Sequence, residues 1–180
     1  MDLKVHKRDL VHRGKVFDLI VDQIEYPSGN RGIREVAHHP GGAVAVPVFP
    51  DRTVLLVRQY RYPFGIYTLE VPAGKLNLGE NPEPAALREL EEETGYLAGK
   101  LEKLTAIYTT PGFCDEVLHI YLATDLKPSP AGHHREEGEQ TMTLHIIPLG
   151  EAIAMVEKGE INDSKTIVGL LMAERKLKMS

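Results

Sequence analysis

Residues 74–96 read GKLNLGENPEPAALRELEEETGY, a loop feeding a helix with an unusual density of carboxylates. Asn81 is placed to cap that helix, Pro82 suits its first turn and Gly95 its C-terminal exit. Ala86, Leu87 and Leu90 supply a narrow apolar stripe. Glu89, Glu92 and Glu93 fall at helical spacings i, i+3 and i+4, so they share one face. Three like charges within one turn repel, and solubility does not require that cost. A hard divalent cation removes it, because Mg²⁺ takes oxygen ligands from a few carboxylates and from substrate phosphates. Arg88 stands beside the row and is able to orient a carboxylate through hydrogen bonds. Glu80, in the loop before the helix, is positioned to fold back toward the same place. The plain alternative is a solvated acidic face with Arg88 and Glu92 as an i,i+4 pair.

On the N-terminal side of this helix, residues 43–49 (AVAVPVF) and 53–59 (TVLLVRQ) read as strands flanking a Pro-Asp-Arg turn. Both are apolar on both faces, which predicts a sheet covered on two sides. Residues 67–71 form a short strand ending at Pro72. Earlier still, residues 16–26 and 31–38 read as a hairpin about the turn at 27–30. That hairpin is the most detachable part of the chain, so the expected division is a β subdomain at 1–40 and a main domain at 41–180. After the helix, strands are expected at 101–108, 116–123 and 141–147, with residues 127–139 a loop. Helices are expected at about 149–158 and 163–177. Strands, one helix, more strands and then helices imply an α/β or α+β sandwich.

The 180 residues are 42% apolar and 26% charged, with a net charge of -5. That balance argues against a nucleic-acid binder, which needs clustered Lys and Arg, but not against binding one small anion. No apolar run approaches the roughly 18 residues of a membrane helix. Residues 1–10 lack the hydrophobic core of a secretory signal. The single cysteine, Cys114, excludes an internal disulfide and suits a reducing compartment. A cytoplasmic protein is expected.

Residues 74–96 resemble the Nudix box, G-x5-E-x7-R-E-U-x-E-E-x-G-U with U apolar or aromatic. Gly74, Glu80, Arg88, Glu89, Leu90, Glu92, Glu93, Gly95 and Tyr96 fill its positions. Nine matched positions in 23 residues make coincidence improbable. The resemblance implies a mixed β-sheet sandwiched between helices, preceded by an N-terminal β-hairpin or antiparallel sheet. It also implies Mg²⁺- or Mn²⁺-dependent hydrolysis of a nucleoside diphosphate linked to another group, with two or three ions per site. By motif position, Glu89 and Glu93 are the main metal ligands, Glu92 a further ligand or bridge, and the Ala73 carbonyl an additional one. Arg88 orients the carboxylates and Glu80 supports them.

Pro111, sixteen residues after Gly95 in the run Thr109-Thr110-Pro111-Gly112-Phe113, is similar to a mark of the ADP-ribose pyrophosphatase subfamily. So are Arg58-Gln59-Tyr60-Arg61 and the stretch at 69–75, which includes Glu70. This likeness makes Arg58, Arg61, Glu70, Pro111, Gly112 and Phe113 substrate-binding candidates. Arg61 is the candidate phosphate contact because its planar fork matches phosphate oxygens; the alternative is an ordinary strand-end arginine. The subfamily places a catalytic Glu and a further metal-binding Glu in the loop at 131–140. Glu136, Glu137 and Glu139 are all available there, and Glu137 as base with Glu139 as ligand is the favoured assignment.

His133 and His134 read as a solvated pair and Cys114 as a packing residue. Tyr26 and Phe113 are able to stack on a base, though aromatics are commonly just buried. The resemblance further implies a homodimer with exchanged N-terminal strands that complete the partner's base pocket. Hydrolysis of GDP-mannose or of a broad set of nucleotide sugars is the rival enzymatic reading. A Nudix-like binding module is the non-enzymatic one, disfavoured because such modules typically lose the box glutamates retained here.

Overall fold

The computed structural model describes residues 2–135 and 137–179. They fold into two compact units, one of Met1–Gly41 with Tyr108–Val117 and the other of Gly42–Ile107 with Leu118–Ser180. Residues 108–117, which carry Pro111, Gly112 and Phe113, therefore belong to the first unit.

The first unit is a three-stranded antiparallel sheet of β1 (Lys4–Arg13), β2 (Asp18–Glu25) and β3 (Arg31–His38), in the order β1-β2-β3. The hairpin expected at 16–38 is β2-β3; β1 is a third strand that the sequence pattern does not announce. All but one of the residues of β1 are exposed, so no apolar alternation marks it, and pairing with β2 holds it in place. Arg8 grips Asp22 across that pair with two hydrogen bonds, at 2.8 and 2.7 Å. Residues 108–117 attach to β3 through a bridge between Ala37 and Cys114. Asp115 secures this bridge, accepting from the His39 amide and pairing with His38. Among the described residues of this unit, Ile24 is the buried apolar side chain.

The second unit is built on β4 (Gly42–Pro47), buried along its whole length. The four-stranded sheet has the order β7-β4-β9-β8, with β7 (Ala73–Lys75), β9 (Val117–Pro128) and β8 (Tyr96–Tyr108). β4 runs antiparallel to β7 and parallel to β9. One face carries α1 (Pro82–Thr94), through Ala85, Ala86 and Leu90 packed on Ala43, Ala45, Tyr121 and Ala123. The other face packs into the main core, where Val44, Val46, Ile120 and Leu122 meet Leu149 and Ala152 of α2 (Leu149–Glu157) and Leu170 and Ala173 of α3 (Ser164–Met179). Val54 and Leu56 join that core from β5 (Thr53–Arg61), the middle strand of an antiparallel sheet ordered β10-β5-β6, with β6 (Ile66–Glu70) and β10 (Thr143–Pro148). This is the expected mixed sheet between helices, and two-sided burial explains the continuous apolar runs of β4 and β5.

β8 begins directly after the helix, five residues before the strand expected at 101. β9 continues to Pro128 into the expected loop, and a short 3-10 turn occupies Glu137–Glu139.

Candidate active site

α1 starts as its sequence dictates. The Asn81 side chain accepts from the Glu83 amide at 3.1 Å, and Gly95 ends the helix in the left-handed conformation, φ 74°. The stripe of Ala85, Ala86 and Leu90 fixes the helix rotation, and this leaves Glu89 and Glu93 at the edge of the core, where both are buried.

Arg88 organises the acidic row. Its Nη1 donates to Glu89 Oε1 at 2.7 Å and to Glu92 Oε2 at 2.9 Å, while Nε and Nη2 donate to the Glu80 carboxylate at 3.2 and 3.3 Å. Glu80 does fold back, and the Asn77 amide and side chain hold it there at 2.8 and 3.1 Å. Although partial burial opposes its charge, the surrounding carboxylates hold the guanidinium well above its ordinary pKa.

The carboxylates behave oppositely. Burial raises the Glu89 pKa; Arg88 offsets this only partly, and the charges of Glu92 and Glu139 add to it. Burial pushes Glu93 well above the ordinary carboxylate range, and Glu139 and Glu89 push it further. Glu93 accepts from the Ala73 amide, yet its Oε2 is buried without a hydrogen-bond partner. Such an orphaned acceptor is costly.

Gly74 is what lets Glu89 lie where it does. A Cβ there would stand 1.9 Å from the Glu89 carboxyl carbon and 2.1 Å from each of its oxygens. The first box glycine is thus a cradle for the carboxylate, not a flexible joint.

Among the described residues, no three His, Cys, Asp or Glu side chains already enclose a cation. Glu89 and Glu92 instead share Arg88. Even so, the donor set fits hard divalent ions: carboxylate oxygens, one of them orphaned and buried, beside the backbone of Ala73 on the edge strand β7.

The loop at 129–142 is drawn toward the C-terminal end of α1. Ser129 donates to Glu91 at 2.6 Å, and the His134 amide to the Glu92 carbonyl at 2.8 Å. Arg135 donates to the Glu93 carbonyl at 2.9 Å and to the Met142 carbonyl at 2.5 Å, which ties both ends of the turn to the helix. Glu139 is half-buried and its charge reaches Glu89 and Glu93. Glu137 is exposed in the same turn, Glu136 lies outside the described residues, and His133 and His134 are exposed. Arg135 does not stand out in the sequence, where a lone arginine in an aperiodic loop carries no signal.

Arg61, near the end of β5, reaches diagonally across to Glu70 of β6. Arg61 donates through Nε and Nη2 to Glu70 at 2.7 and 2.6 Å, leaving Nη1 free of this pair. Thr68 adds a bond at 2.5 Å, and the Lys165 ammonium contacts Glu70 Oε2. Burial pushes Glu70 up, but the two cations outweigh it and hold its pKa at about 2. Arg61 lines a cavity of about 580 Å³ with Tyr67, Glu70 and Asp163. Arg58 stacks over the Tyr67 ring at 4.2 Å. In the first unit, Pro111, Gly112 and Phe113 are exposed, and Tyr26 carries Arg34 on its hydroxyl and over its ring.

Residues 39–167 match the NUDIX domain family. The chain is 41% identical over 166 residues to an ADP-ribose pyrophosphatase of Bacillus subtilis strain 168, covering 92% of this chain and 89% of that one. It is 33% identical over 165 residues to a GDP-mannose pyrophosphatase of Yersinia enterocolitica, covering 88% and 84%. A crystal structure of an ADP compounds hydrolase superposes with a TM-score of 0.86 at 23% identity, over 99% of this chain and 96% of that one.

Proposed function

This chain belongs to the Nudix family and is a pyrophosphohydrolase, and from that premise we propose that it cleaves ADP-ribose to AMP and ribose 5-phosphate. The observation that carries the reading is the buried acidic edge of α1, where Glu93 keeps an unpartnered oxygen and Gly74 makes room for the Glu89 carboxylate. A protein that needed only a folded helix would not maintain that repulsion.

In this reading Glu89, Glu92, Glu93, Glu139 and the Ala73 carbonyl hold Mg²⁺ or Mn²⁺, in two or three ions. Bound cations of this kind screen a pyrophosphate's charge and acidify the attacking water. Arg88 keeps Glu89 and Glu92 turned toward the site. Arg61, held by Glu70, meets a phosphate oxygen through the amine that this pair leaves free, and Arg58, Pro111, Gly112 and Phe113 complete the substrate-binding set. Glu137 takes the proton from water, its exposure in the turn leaving the carboxylate open to solvent, while the reach of Glu139 to the box supports its role as ligand.

The first unit supports a homodimer with exchanged N-terminal strands in a composite site. A three-stranded sheet with a single buried apolar side chain among its described residues is too thin to stand alone, and it displays Val5, Leu10, Val11 and Ile33. Residues 1–40 then serve assembly and residues 41–180 catalysis, in the cytoplasm. No described helix is long and apolar enough to cross a membrane.

A panel of ADP-ribose, GDP-mannose, other nucleotide sugars and nucleoside triphosphates, each with Mg²⁺ and with chelator, tests the proposal. Chromatography is expected to show AMP from ADP-ribose at the highest kcat/KM, and only with the cation. Preference for GDP-mannose transfers the reading to that substrate, which the Yersinia relative's likeness supports; no turnover of any diphosphate overturns it.

A further inference from the structure

Lys165 is a buried cation to which the hydrolytic reading assigns no task. It is the second residue of α3 and is 7% exposed. Its ammonium bridges Glu70 Oε2 and Asp163 Oδ2, the latter at 2.9 Å. The next residue, Thr166, is fully buried; its hydroxyl donates to Asp163 Oδ2 at 2.6 Å and accepts from the Val71 amide at 2.9 Å. Two consecutive residues of α3 thus grip the last residue of β6 and the one that follows it.

The backbone beyond Val71 has little freedom. Pro72 has its φ fixed by its ring, and its carbonyl accepts from the Ala45 amide at 3.0 Å. Ala73 then donates its amide to Glu93, and Gly74 lies against the Glu89 carboxylate. Any play at Glu70 and Val71 reaches the two buried box glutamates through three residues.

We propose that Lys165 is a positioning residue for the cation site: with Thr166 it locks Glu70 and Val71, and so holds the Ala73–Gly74 backbone in register with Glu93 and Glu89. This rests on the hydrolytic reading. An apolar residue would fill the same space with no desolvation cost, so the choice of an ammonium needs a reason. The geometry supplies one, since only a cation ties the Glu70 and Asp163 carboxylates together at the start of α3.

The test uses the full-length protein in three forms: wild type, Lys165→Met and Thr166→Val. Mn²⁺ affinity is read by electron paramagnetic resonance without substrate, and Mg²⁺ activation is read with ADP-ribose. A core variant distant from this contact, Val48→Ala, matches for lost stability. Both site variants are expected to bind Mn²⁺ about 10- to 100-fold more weakly, and to need correspondingly more Mg²⁺ for half-activation. Their rate is expected to recover to within a few fold at saturating Mg²⁺, and Val48→Ala is expected to keep wild-type affinity. A merely structural role would lower stability in all three variants without singling out cation affinity. Affinities within twofold of wild type in the folded site variants overturn the proposal. Should Lys165→Met fail to fold, Thr166→Val decides alone. A wild-type protein that binds no Mn²⁺ and hydrolyses nothing overturns the functional reading beneath it, an outcome distinct from the others.

Discussion

Replacing Glu70 by Gln isolates a dense electrostatic tie in the second unit. The side chains are nearly equal in size, so the change removes charge and little packing. In the wild type the carboxylate takes two bonds from Arg61, one from Thr68 and one from Lys165. A group ordinarily at 4.5 and held at about 2 has its charged form favoured by about 3 kcal/mol. The amide also leaves Lys165 and the inner part of Arg61 short of countercharge, and breaking a buried pair from one side costs about 3–5 kcal/mol. Because the folded-state pKa is depressed, the contribution is complete above pH 4.5 and is lost as pH falls from 4.5 toward 2. The Glu70→Gln protein should therefore unfold about 3 kcal/mol more easily at pH 7, near 10 °C in melting temperature for a chain of this size. The gap to wild type should narrow steadily in acid. Urea titrations followed by circular dichroism at pH 7, 5, 4 and 3 measure both. A loss under about 1 kcal/mol at pH 7, or a gap indifferent to pH, would refute the reasoning.

Gly74→Ala should leave the circular dichroism spectrum intact and lower kcat/KM by about 10- to 100-fold, since the new methyl displaces the Glu89 carboxylate proposed as a cation ligand; wild-type kinetics would show that Glu89 need not lie against the backbone. Glu93→Gln should raise the stability of the cation-free protein at pH 8 while abolishing turnover. The raised pKa sets the sign: the protonated side chain is the better-tolerated one, so wild-type stability falls as pH climbs from 4.5 through the elevated value, and the amide escapes that fall. Mg²⁺ at 100 times its dissociation constant should restore about 2.7 kcal/mol to the wild type and nothing to Glu93→Gln, as read by thermal melts with and without chelator. Asn81→Ala should cost about 1 kcal/mol through loss of the helix cap, measured by urea unfolding.

Much of the second unit was legible because its residues obey one local rule each. The cap at Asn81, the exit at Gly95 and the apolar runs of β4 and β5 report burial and backbone conformation directly. β1 was illegible for the converse reason: its side chains face water, and only its partner β2 makes it a strand. β9 was legible at 116–123, but its extension to Pro128 was not, because its outer end leaves the core and loses the apolar signature. In the site, Arg88 and the three helix glutamates were readable from spacing along one helix, and Glu80 from its place in the loop that feeds it. Lys165 and Arg135 were not, because their meaning lies in contacts 95 and 42 residues away in sequence. No local pattern distinguishes a buried lysine at a helix start from a solvated one.

Glu70 and Glu93 are both almost wholly buried glutamates, 1% and 2% exposed, and they have met opposite fates. Arg61, Lys165 and Thr68 surround Glu70, which is held ionised at about 2. Glu93 has the Ala73 amide, an orphaned oxygen and two neighbouring carboxylates, and is driven toward its proton. The fold had the means to satisfy a buried carboxylate, as Glu70 demonstrates within the same unit. Leaving Glu93 unsatisfied beside Glu89 is then a specific expense, and a full positive charge arriving from outside the chain offsets it most directly. The anchored carboxylate fixes the backbone that the needy one leans on, which is why disturbing Glu70 or Lys165 should be felt at Glu93 without touching it.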